Sequence, residues 1–420
     1  MTSPVVGNAH ERDSDAARPL RVVLAAGGTG GHLMPALATA EAIERQTAAE
    51  FLLVGGTRES ERRLRGLVPY PVREVEAGTL ARTGWLGRFR TLAGLPRTVS
   101  KARLLLREFG PDLVIASGSY ASGPTGAAAA LRRIPLLLLE QNAHPGLTNR
   151  LLYPFCAKAA VSFESTVEHW GHKAVFTGNP IRGSLPAASS RDGRPLPSTT
   201  RDHVRLLILG GSQGALGLNT MIEMALLRLA AAEVGLSVTH QTGAADVERL
   251  EQAYRSHGIP AIVTPFIKNI GDAYARADLV CARAGATTIA ELAYVGLGSI
   301  LVPFPHAAAR HQDANAAALE AAGAARVVHE GDSGAPLAAA ILELASDPQL
   351  LSRMQAAAAA CGQNDAAGTV ARLSLRLAGR EPGETAELSI RTVPTPASAN
   401  DAERGAEAAR PQGRSPQMEL

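Results

Sequence analysis

Two similar stretches decide the fold: RVVLAAGGTGGH at residues 21–32 and RLLILGGSQGAL at residues 205–216. Each begins with a short apolar run of strand character, passes through a glycine-rich turn and continues with helical spacing. Around them, short Val/Leu/Ile runs alternate with longer Ala/Leu/Glu/Arg stretches, a rhythm typical of a parallel sheet covered by helices on both faces. The sequence therefore predicts an α/β fold in which one architecture occurs twice.

Six strands are predicted in each half of the chain. In the first half they are 21–26, 51–54, 112–116, 135–139, 157–163 and 173–177; in the second they are 204–209, 237–241, 261–265, 277–281, 299–302 and 326–329. Residues 185–203 between the halves are rich in Pro, Ser and Thr, which indicates a linker. Residues 1–19 carry both signs of charge without an apolar block, and residues 380–420 lose periodicity and apolar content, so we expect two disordered tails.

Composition excludes several classes of protein. The 420 residues are 46% hydrophobic and 19% charged, as expected of two globular domains. A net charge of +3 is too small for a nucleic-acid scaffold. Cys156, Cys281 and Cys361 are widely spaced, which argues against a disulfide framework or a structural zinc site. No apolar run reaches the roughly 18 residues of a membrane span, and the first residues do not resemble a signal peptide, so the predicted compartment is the cytosol.

Glycine-rich turns follow four of the predicted strands, at residues 27–32, 117–124, 210–214 and 283–288. Glycines let a ligand approach the backbone, and the N-terminus of the following helix favours phosphate. The first turn is neither a dinucleotide fingerprint, because Leu33 replaces a glycine, nor a Walker loop. Pro35 is expected in the first turn of the next helix. A single such turn could serve packing only, but four at the carboxyl ends of strands favour a ligand site.

Polar side chains near these turns are candidates for chemistry. His32 has a side chain suited to a general base, although such a histidine could instead cap the helix. Glu291, one turn after Thr287-Thr288, could accept protons from a vicinal diol such as ribose or merely satisfy the helix dipole. Further polar clusters follow strands at 140–142, 178–182 and 311–315. In them, Arg182 could bind phosphate, and Asn142 and Gln312 could bind sugar hydroxyls.

Residues 77–107 carry basic side chains and no acidic ones. The basic residues are Arg82, Arg88, Arg90, Arg97, Lys101, Arg103 and Arg107, and they are interleaved with Leu80, Trp85, Leu86, Phe89 and Leu92. This pattern favours docking to an anionic membrane surface. The alternative is a solvated helix with a half-buried apolar face.

Motifs along residues 20–375 resemble those of glycosyltransferase family 28. They are GGTGGH, SGSYASGP, EQNAHPGLTNR, GNPIR, GGSQGALGLN, PFI, RAGATTIAEL and HQDANA, in the order and at about the spacing of the family. The resemblance implies two Rossmann-like domains facing across a cleft, the glycosyltransferase-B fold. It implies an acceptor- and membrane-facing domain at 20–184, a UDP-sugar-binding domain at 204–363, and a terminal helix at 364–379 that returns to the first domain.

The resemblance also implies an activity. This is inverting transfer of N-acetylglucosamine from UDP-N-acetylglucosamine to the C4 hydroxyl of undecaprenyl-diphosphate-linked N-acetylmuramoyl-pentapeptide, in peptidoglycan synthesis at the cytoplasmic face of the cell membrane. The implied partners are this donor, this lipid acceptor, the anionic membrane surface through residues 77–107, and other cell-wall synthesis proteins, but not nucleic acid.

Site residues follow from the resemblance residue by residue. Positions that would hold the nucleotide sugar are Thr29, Gly30, Gly31, Asn142, Arg182, Ser212, Ile267, Ala286, Thr287, Thr288, Glu291 and Gln312. Ile267 would meet uracil through its backbone and Glu291 the ribose, while His32 would be the catalytic base with Glu140 as its acidic neighbour or an alternative base. No cofactor or metal is expected, since the Asp-x-Asp sequence at 13–15 lies in the N-terminal tail.

Leu139, Gly298 and the Ser/Pro-rich linker depart from the family pattern, and the first departure bears on acceptor contacts. Three other functions stay open at this point. A transferase of the same architecture could use a diacylglycerol acceptor, and a UDP-N-acetylglucosamine 2-epimerase shares the fold and needs no acceptor. A catalytically silent scaffold is the third, and intact sugar-contacting positions disfavour it.

Overall fold

The structure is a computed structural model that describes residues 18–27, 30–57, 68–75, 85–183, 185–187, 203–211, 214–232, 234–331 and 333–380. Four predicted regions lie at least partly outside these ranges: the N-terminal tail up to residue 17, the C-terminal tail beyond 380, most of the linker, and residues 77–84 of the basic segment. No helix in the described ranges has both the length and the hydropathy needed to cross a bilayer.

Within the described residues, the N-terminal half forms a sheet of seven parallel strands. They are β1 (Leu20–Ala25), β2 (Ala49–Gly55), β3 (Val72–Glu74), β4 (Leu113–Ala116), β5 (Leu136–Glu140), β6 (Lys158–Val161) and β7 (Ala174–Phe176). Their order across the sheet is β3-β2-β1-β4-β5-β6-β7. The inner strand β1 is almost wholly buried, because helices cover both faces of the sheet.

The prediction of six strands in this half was wrong by one. Strand β3 has only three residues and pairs with β2 at the edge of the sheet. Arg73 and Glu74 are exposed, so this strand has no apolar run by which a sequence pattern could reveal it.

The C-terminal half contributes a second parallel sheet, with six strands in the described residues. They are β8 (His203–Leu209), β9 (Gly235–Gln241), β10 (Ala261–Thr264), β11 (Leu279–Ala282), β12 (Ser299–Leu301) and β13 (Ala325–Val327), in the order β10-β9-β8-β11-β12-β13. Each overlaps a predicted strand. The predicted fold class, α/β with two Rossmann-like sheets, is confirmed.

Helices cover both faces of the two sheets. In the described residues they are α1 (Gly30–Glu44), α2 (Trp85–Phe109), α3 (Ser122–Leu131), α4 (Leu147–Leu152), α5 (Glu164–Trp170), α6 (Leu216–Ala231), α7 (Val247–Ser256), α8 (Ile270–Arg276), α9 (Ala286–Val295), α10 (His311–Ala321), α11 (Ala335–Ser346), α12 (Pro348–Cys361) and α13 (Ala366–Leu377). Alternate residues of β1 enter different cores: Val22 and Leu24 pack on one face, Val23 and Ala25 on the other. This is the two-residue period of a strand buried on both sides.

The last helix, α13, packs on the N-terminal sheet although the chain reaches it only after the second sheet. Its residues Val370, Ala371 and Leu375 share a core with Leu24 of β1 and Leu37 of α1. The N-terminal core is therefore built from both ends of the described chain.

Helix α1 begins earlier than the sequence suggested. It starts at Gly30, so Pro35 lies inside the helix rather than in its first turn. Because proline has no backbone N–H, the carbonyl of Gly31 lacks its usual partner four residues along the helix. The Thr287 hydroxyl, from α9 of the second sheet, instead donates to the Gly31 oxygen at 3.4 Å. The proline thus leaves a carbonyl available for a contact between the domains.

Candidate active site

The four glycine-rich turns lie at the two points where the strand order reverses. In the first sheet β1 and β4 are neighbours, and the helices that follow these two strands pack on opposite faces of the sheet. In the second sheet β8 and β11 are the corresponding pair of neighbouring strands. The turns follow these four strands and lead into α1, α3, α6 and α9. Crevices of this kind, at the carboxyl ends of strands, bind ligands in open α/β sheets.

A cavity of 1730 Å³ joins the turns of both sheets. Among the predicted site residues, its wall includes Gly30, Gly31, His32, Asn142, Arg182, Ile267, Ala286, Thr287, Thr288, Glu291 and Gln312. Thr29 and Ser212 lie outside the described residues. Glu140 is described but is absent from the cavity wall. The fold thus brings together residues from positions 30 to 312 of the chain.

His32 stands at the start of α1 and is partly exposed in the cavity. Its Nδ1 lies 3.2 Å from Oε1 of Gln141, and Nε2 of Gln141 donates to the Leu139 carbonyl at 3.2 Å. Gln141 belongs to a polar cluster that the sequence singled out without giving this residue a role. Its contact with His32 spans 109 positions of sequence, so only the fold reveals it.

Glu140 ends strand β5 with its carboxylate buried. It accepts hydrogen bonds from the backbone N–H of Asn142 at 3.1 Å and of Gly146 at 3.0 Å, and from the side-chain amides of Asn142 at 3.3 Å and Asn149 at 2.9 Å. These four hydrogen bonds engage both oxygens of the carboxylate. The arrangement fixes the 140–146 loop, which carries Gln141 and Asn142.

A buried asparagine links the two domains beside this loop. Asn315 of α10 accepts from the backbone N–H of Ala143 at 2.9 Å and donates to Oδ1 of Asn142 at 3.2 Å. It also donates to the carbonyl of Ala284, in the turn after β11, at 3.3 Å. The sequence placed Asn315 in a polar cluster with Gln312 but did not reveal this contact. It holds the turn on one sheet to the loop on the other.

Glu291 of α9 is held by a tyrosine behind it. The hydroxyl of Tyr274, a buried residue of α8, donates to Oε2 of Glu291 at 2.8 Å. Burial raises the pKa of Glu291, while the Tyr274 hydrogen bond and the positive charge of Arg182 oppose this shift. Among the described residues, Oε1 of Glu291 has no hydrogen-bond partner, so that oxygen is available to a ligand hydroxyl. The sequence analysis did not predict Tyr274 as a site residue, because its pattern is that of an ordinary core residue.

The backbone of Ile267 is partly engaged by the protein itself. Its N–H donates to Oε1 of Gln241 at 3.0 Å, and Nε2 of Gln241 donates to the Gly211 carbonyl at 2.8 Å. Gln241 ends strand β9 and was not predicted as a site residue. Its amide links the turn after β8 to the turn after β10. Because Gln241 engages the N–H of Ile267, the carbonyl of Ile267 is the backbone group that could accept a hydrogen bond from a ligand.

Two helix N-termini face the cavity with backbone donors. Helices α6 and α9 follow Ala215 and Gly285, and neither residue supplies a side-chain cap. Both residues and the glycines before α6 line the cavity. Backbone N–H groups at such termini, together with the helix dipole, favour an anion such as a diphosphate.

Arg283 braces the cavity wall. It forms an ion pair with Glu330 at 2.5 Å and donates to the carbonyls of Val302 and Pro303 at 3.2 and 3.3 Å. The contacts join the turns after β11, β12 and β13. Gln312 adds a further tie, because its Oε1 accepts from the Phe304 N–H at 2.9 Å. In the part of the chain that the structure describes, no cluster of three or more His, Cys, Asp or Glu side chains could hold a metal ion.

The two parallel sheets and their shared cavity have the glycosyltransferase-B architecture, and the match to family models places the chain among glycosyltransferases. The family model for the glycosyltransferase family 28 N-terminal domain matches residues 22–161, and the model for the C-terminal domain of the same family matches residues 205–370. The chain belongs to glycosyltransferase family 28, as the sequence motifs indicated.

Relatives with this architecture carry a specific name. A protein of Syntrophotalea carbinolica, named UDP-N-acetylglucosamine–N-acetylmuramyl-(pentapeptide) pyrophosphoryl-undecaprenol N-acetylglucosamine transferase, is 40% identical over 367 residues, covering 86% of this chain and all of the relative. A protein of the same name from an Anaeromyxobacter species is 40% identical over 370 residues, and the match covers 87% of this chain and 96% of that relative. The crystal structure of Acinetobacter baumannii MurG is 29% identical, with a TM-score of 0.70 over 85% of this chain and all of that chain.

Proposed function

We propose that this glycosyltransferase moves N-acetylglucosamine from UDP-N-acetylglucosamine to the C4 hydroxyl of undecaprenyl-diphosphate-linked N-acetylmuramoyl-pentapeptide, the step that completes the lipid-linked disaccharide of peptidoglycan. One observation carries the proposal. A single cavity brings His32 on the first sheet together with Glu291, Ile267 and the helix N-termini on the second. The name shared by the 40%-identical relatives supports the same donor and acceptor.

The donor would lie along the second sheet. The Ile267 carbonyl accepts from the uracil imide N–H, and Oε1 of Glu291 accepts from the ribose hydroxyls. The diphosphate lies at the N-termini of α6 and α9, where backbone N–H groups stabilise the charge that develops as UDP leaves. Arg182, which contacts Met34 of α1 and lines the cavity, adds positive charge from the first sheet.

Catalysis would proceed by one inverting displacement. Nε2 of His32 takes the proton from the acceptor C4 hydroxyl, the oxygen bonds to the anomeric carbon, and the bond from that carbon to the UDP oxygen breaks. Glu140 is less suited to this step because it is buried and accepts four hydrogen bonds, three from its own loop and one from Asn149 of α4. We assign it the task of positioning that loop.

The lipid acceptor would approach along an exposed apolar rim of the cavity. Leu131 of α3, Leu151 of α4 and Phe155 expose 63%, 59% and 64% of their surface and line the cavity. Exposed arginines lie next to them in sequence: Arg132 and Arg133 follow Leu131, and Arg150 precedes Leu151. Apolar and basic side chains together suit the surface of an anionic membrane. The rim supports peripheral attachment to a membrane; we propose that the enzyme works at the cytoplasmic face, next to other enzymes of cell-wall synthesis.

The test is transfer of radiolabelled N-acetylglucosamine from the UDP-sugar to a short-chain analogue of the lipid acceptor. Labelled disaccharide-lipid is expected, with no transfer to diacylglycerol and no epimerised UDP-sugar when the acceptor is omitted. Transfer to diacylglycerol alone, or epimerisation without acceptor, would overturn the proposal.

Replacing the base tests the mechanism. His32→Ala should lower kcat by about 100-fold to 10,000-fold while the UDP dissociation constant, measured by calorimetry, stays within about twofold. The control is His172→Ala, which removes an exposed imidazole that is not part of the cavity wall. Full turnover by His32→Ala would remove His32 from the mechanism.

A further inference from the structure

The amide of Gln141 has a defined orientation. Its two ends contact different groups: one faces the Leu139 carbonyl at 3.2 Å and the other faces Nδ1 of His32 at 3.2 Å. A carbonyl oxygen can only accept a hydrogen bond, so the end that faces Leu139 must be the NH₂ group. The amide oxygen therefore faces His32.

This orientation fixes the proton on His32. An amide oxygen can only accept, so the ring nitrogen beside it must carry the hydrogen. The partner of one ring nitrogen determines the state of the other in a neutral imidazole. We propose that Gln141 is a positioning residue that holds His32 in the Nδ1–H tautomer and leaves the lone pair of Nε2 available to the acceptor hydroxyl. The inference rests on the proposed function, in which His32 is the base.

Gln141 is itself held rigidly. Its side chain is only 2% exposed, and it follows Leu139 and Glu140 at the buried end of β5. The next residues are fixed by the hydrogen bonds to the Glu140 carboxylate and by Asn315 across the domain boundary. The acceptor oxygen therefore stays in place without a substrate to organise it, which is what a supporting contact in an active site requires.

A neutral amide suits this position better than a carboxylate. Both proposed substrates bring a diphosphate to the cavity, and a further anion beside His32 would repel them and stabilise the imidazolium. Charged groups on neighbouring elements include Glu140 at the end of β5, Arg182, which contacts Met34 of α1, and Glu291 on α9, the helix whose Thr287 contacts Gly31. Gln141 supplies orientation without adding to this set of charges.

The tautomer can be measured without any turnover. Ring-nitrogen NMR of protein labelled with ¹⁵N-histidine distinguishes a protonated Nδ1 from a protonated Nε2, and the His32→Gln spectrum assigns the signal. We expect the neutral ring of His32 to carry its proton on Nδ1 in the ligand-free wild type. A proton mainly on Nε2 would overturn the inference, whatever the activity of the enzyme.

Two variants isolate the contact with His32. Gln141→Glu and Gln141→Met both remove the donor to Leu139, but only Gln141→Glu keeps an oxygen that accepts from Nδ1. Gln141→Met should lower kcat at least about tenfold and shift the histidine signal towards the Nε2–H form. Gln141→Glu should keep the Nδ1–H form of His32. Its kcat should recover at higher pH, because the acid limb of its pH–rate profile moves to higher pH values.

The outcomes separate the inference from the proposed function. An inactive wild type with Nδ1-protonated His32 would contradict the function but not the tautomer. An active wild type with equal kcat in Gln141→Met and Gln141→Glu, both with wild-type melting temperatures, would overturn the role of Gln141.

Discussion

Side-chain amides fix the geometry of this cavity at the scale of single residues. Gln141 orients His32, Gln241 holds the Ile267 backbone, and Asn315 joins the 140–146 loop to the Ala284 turn. Amides donate and accept without carrying charge, so they connect loops beside a diphosphate site without repelling it. The contacts that these amides make with other loops span 26 to 173 positions of sequence, which explains why sequence motifs gave no sign of them.

The sequence was more informative about residues that belong to compact motifs. His32 and Glu291 each follow a glycine-rich turn, and the structure places both in the cavity wall. Tyr274 could not be recognised in the same way, because a buried tyrosine in a short helix resembles core packing until its Glu291 partner is known. The binding roles assigned to the predicted residues stay predictions.

Tyr274→Phe should make UDP binding more sensitive to acid. Burial raises the pKa of Glu291, and only the ionised carboxylate can accept from both ribose hydroxyls, so affinity should fall as pH decreases through that pKa. Loss of the Tyr274 hydroxyl removes a donor that favours the ionised form, so the pKa rises further and the fall begins at higher pH.

Calorimetric titration of UDP between pH 5 and pH 8 measures this effect. Glu291→Gln is the matched control, because it should bind UDP weakly with little dependence on pH. Superimposable pH profiles for Tyr274→Phe and the wild type would contradict the role of the tyrosine.

At the scale of secondary-structure elements, the sequence predicted the strands and helices with a regular apolar pattern. It did not predict the features that depart from such a pattern. Buried parallel strands such as β1 and β8 are continuous apolar runs that end in glycines, so their sequence shows both their length and their end. Strand β3 has no such run, and Pro35 lies inside α1 because a contact between domains satisfies the carbonyl that it leaves free.

The turn between β8 and α6 yields a second prediction. Gly214 has a φ of +77°, and a Cβ there would overlap the backbone carbonyl of Thr242. Gly214→Ala should therefore lower the free energy of unfolding by about 2–4 kcal/mol and weaken UDP binding, because the turn must move.

Gly258→Ala separates backbone strain from this overlap. Gly258 also has a positive φ, of +67°, but open space surrounds the Cβ position, so we expect a loss of only about 1–2 kcal/mol. Urea unfolding and UDP calorimetry measure both variants. Equal losses of stability, with UDP affinity unchanged in both, would show that the turn tolerates a side chain.

At the scale of the whole molecule, Asn315 is the residue whose loss should uncouple the domains. Asn315→Ala removes three hydrogen bonds, each worth about 1 kcal/mol, two of which cross to the first domain. Because the proposed UDP contacts lie mainly on the second sheet, UDP affinity should change less than about threefold. Turnover needs both sheets, so kcat/KM for the lipid acceptor should fall about tenfold or more.

The control is Gln355→Ala, which removes a buried amide bonded within the second domain, to the Asp278 carbonyl at 2.9 Å. It should lower stability but leave acceptor kinetics near those of the wild type. If both variants reduce kcat/KM to the same extent, Asn315 has no particular part in coupling.

The return of α13 to the first domain has a consequence for biosynthesis. A ribosome delivers β1 and α1 hundreds of codons before the segment that seals their apolar face, so the nascent first half stays open while the second half is made. The domain translated first is thus the last to close, because its core is complete only once α13 has been made.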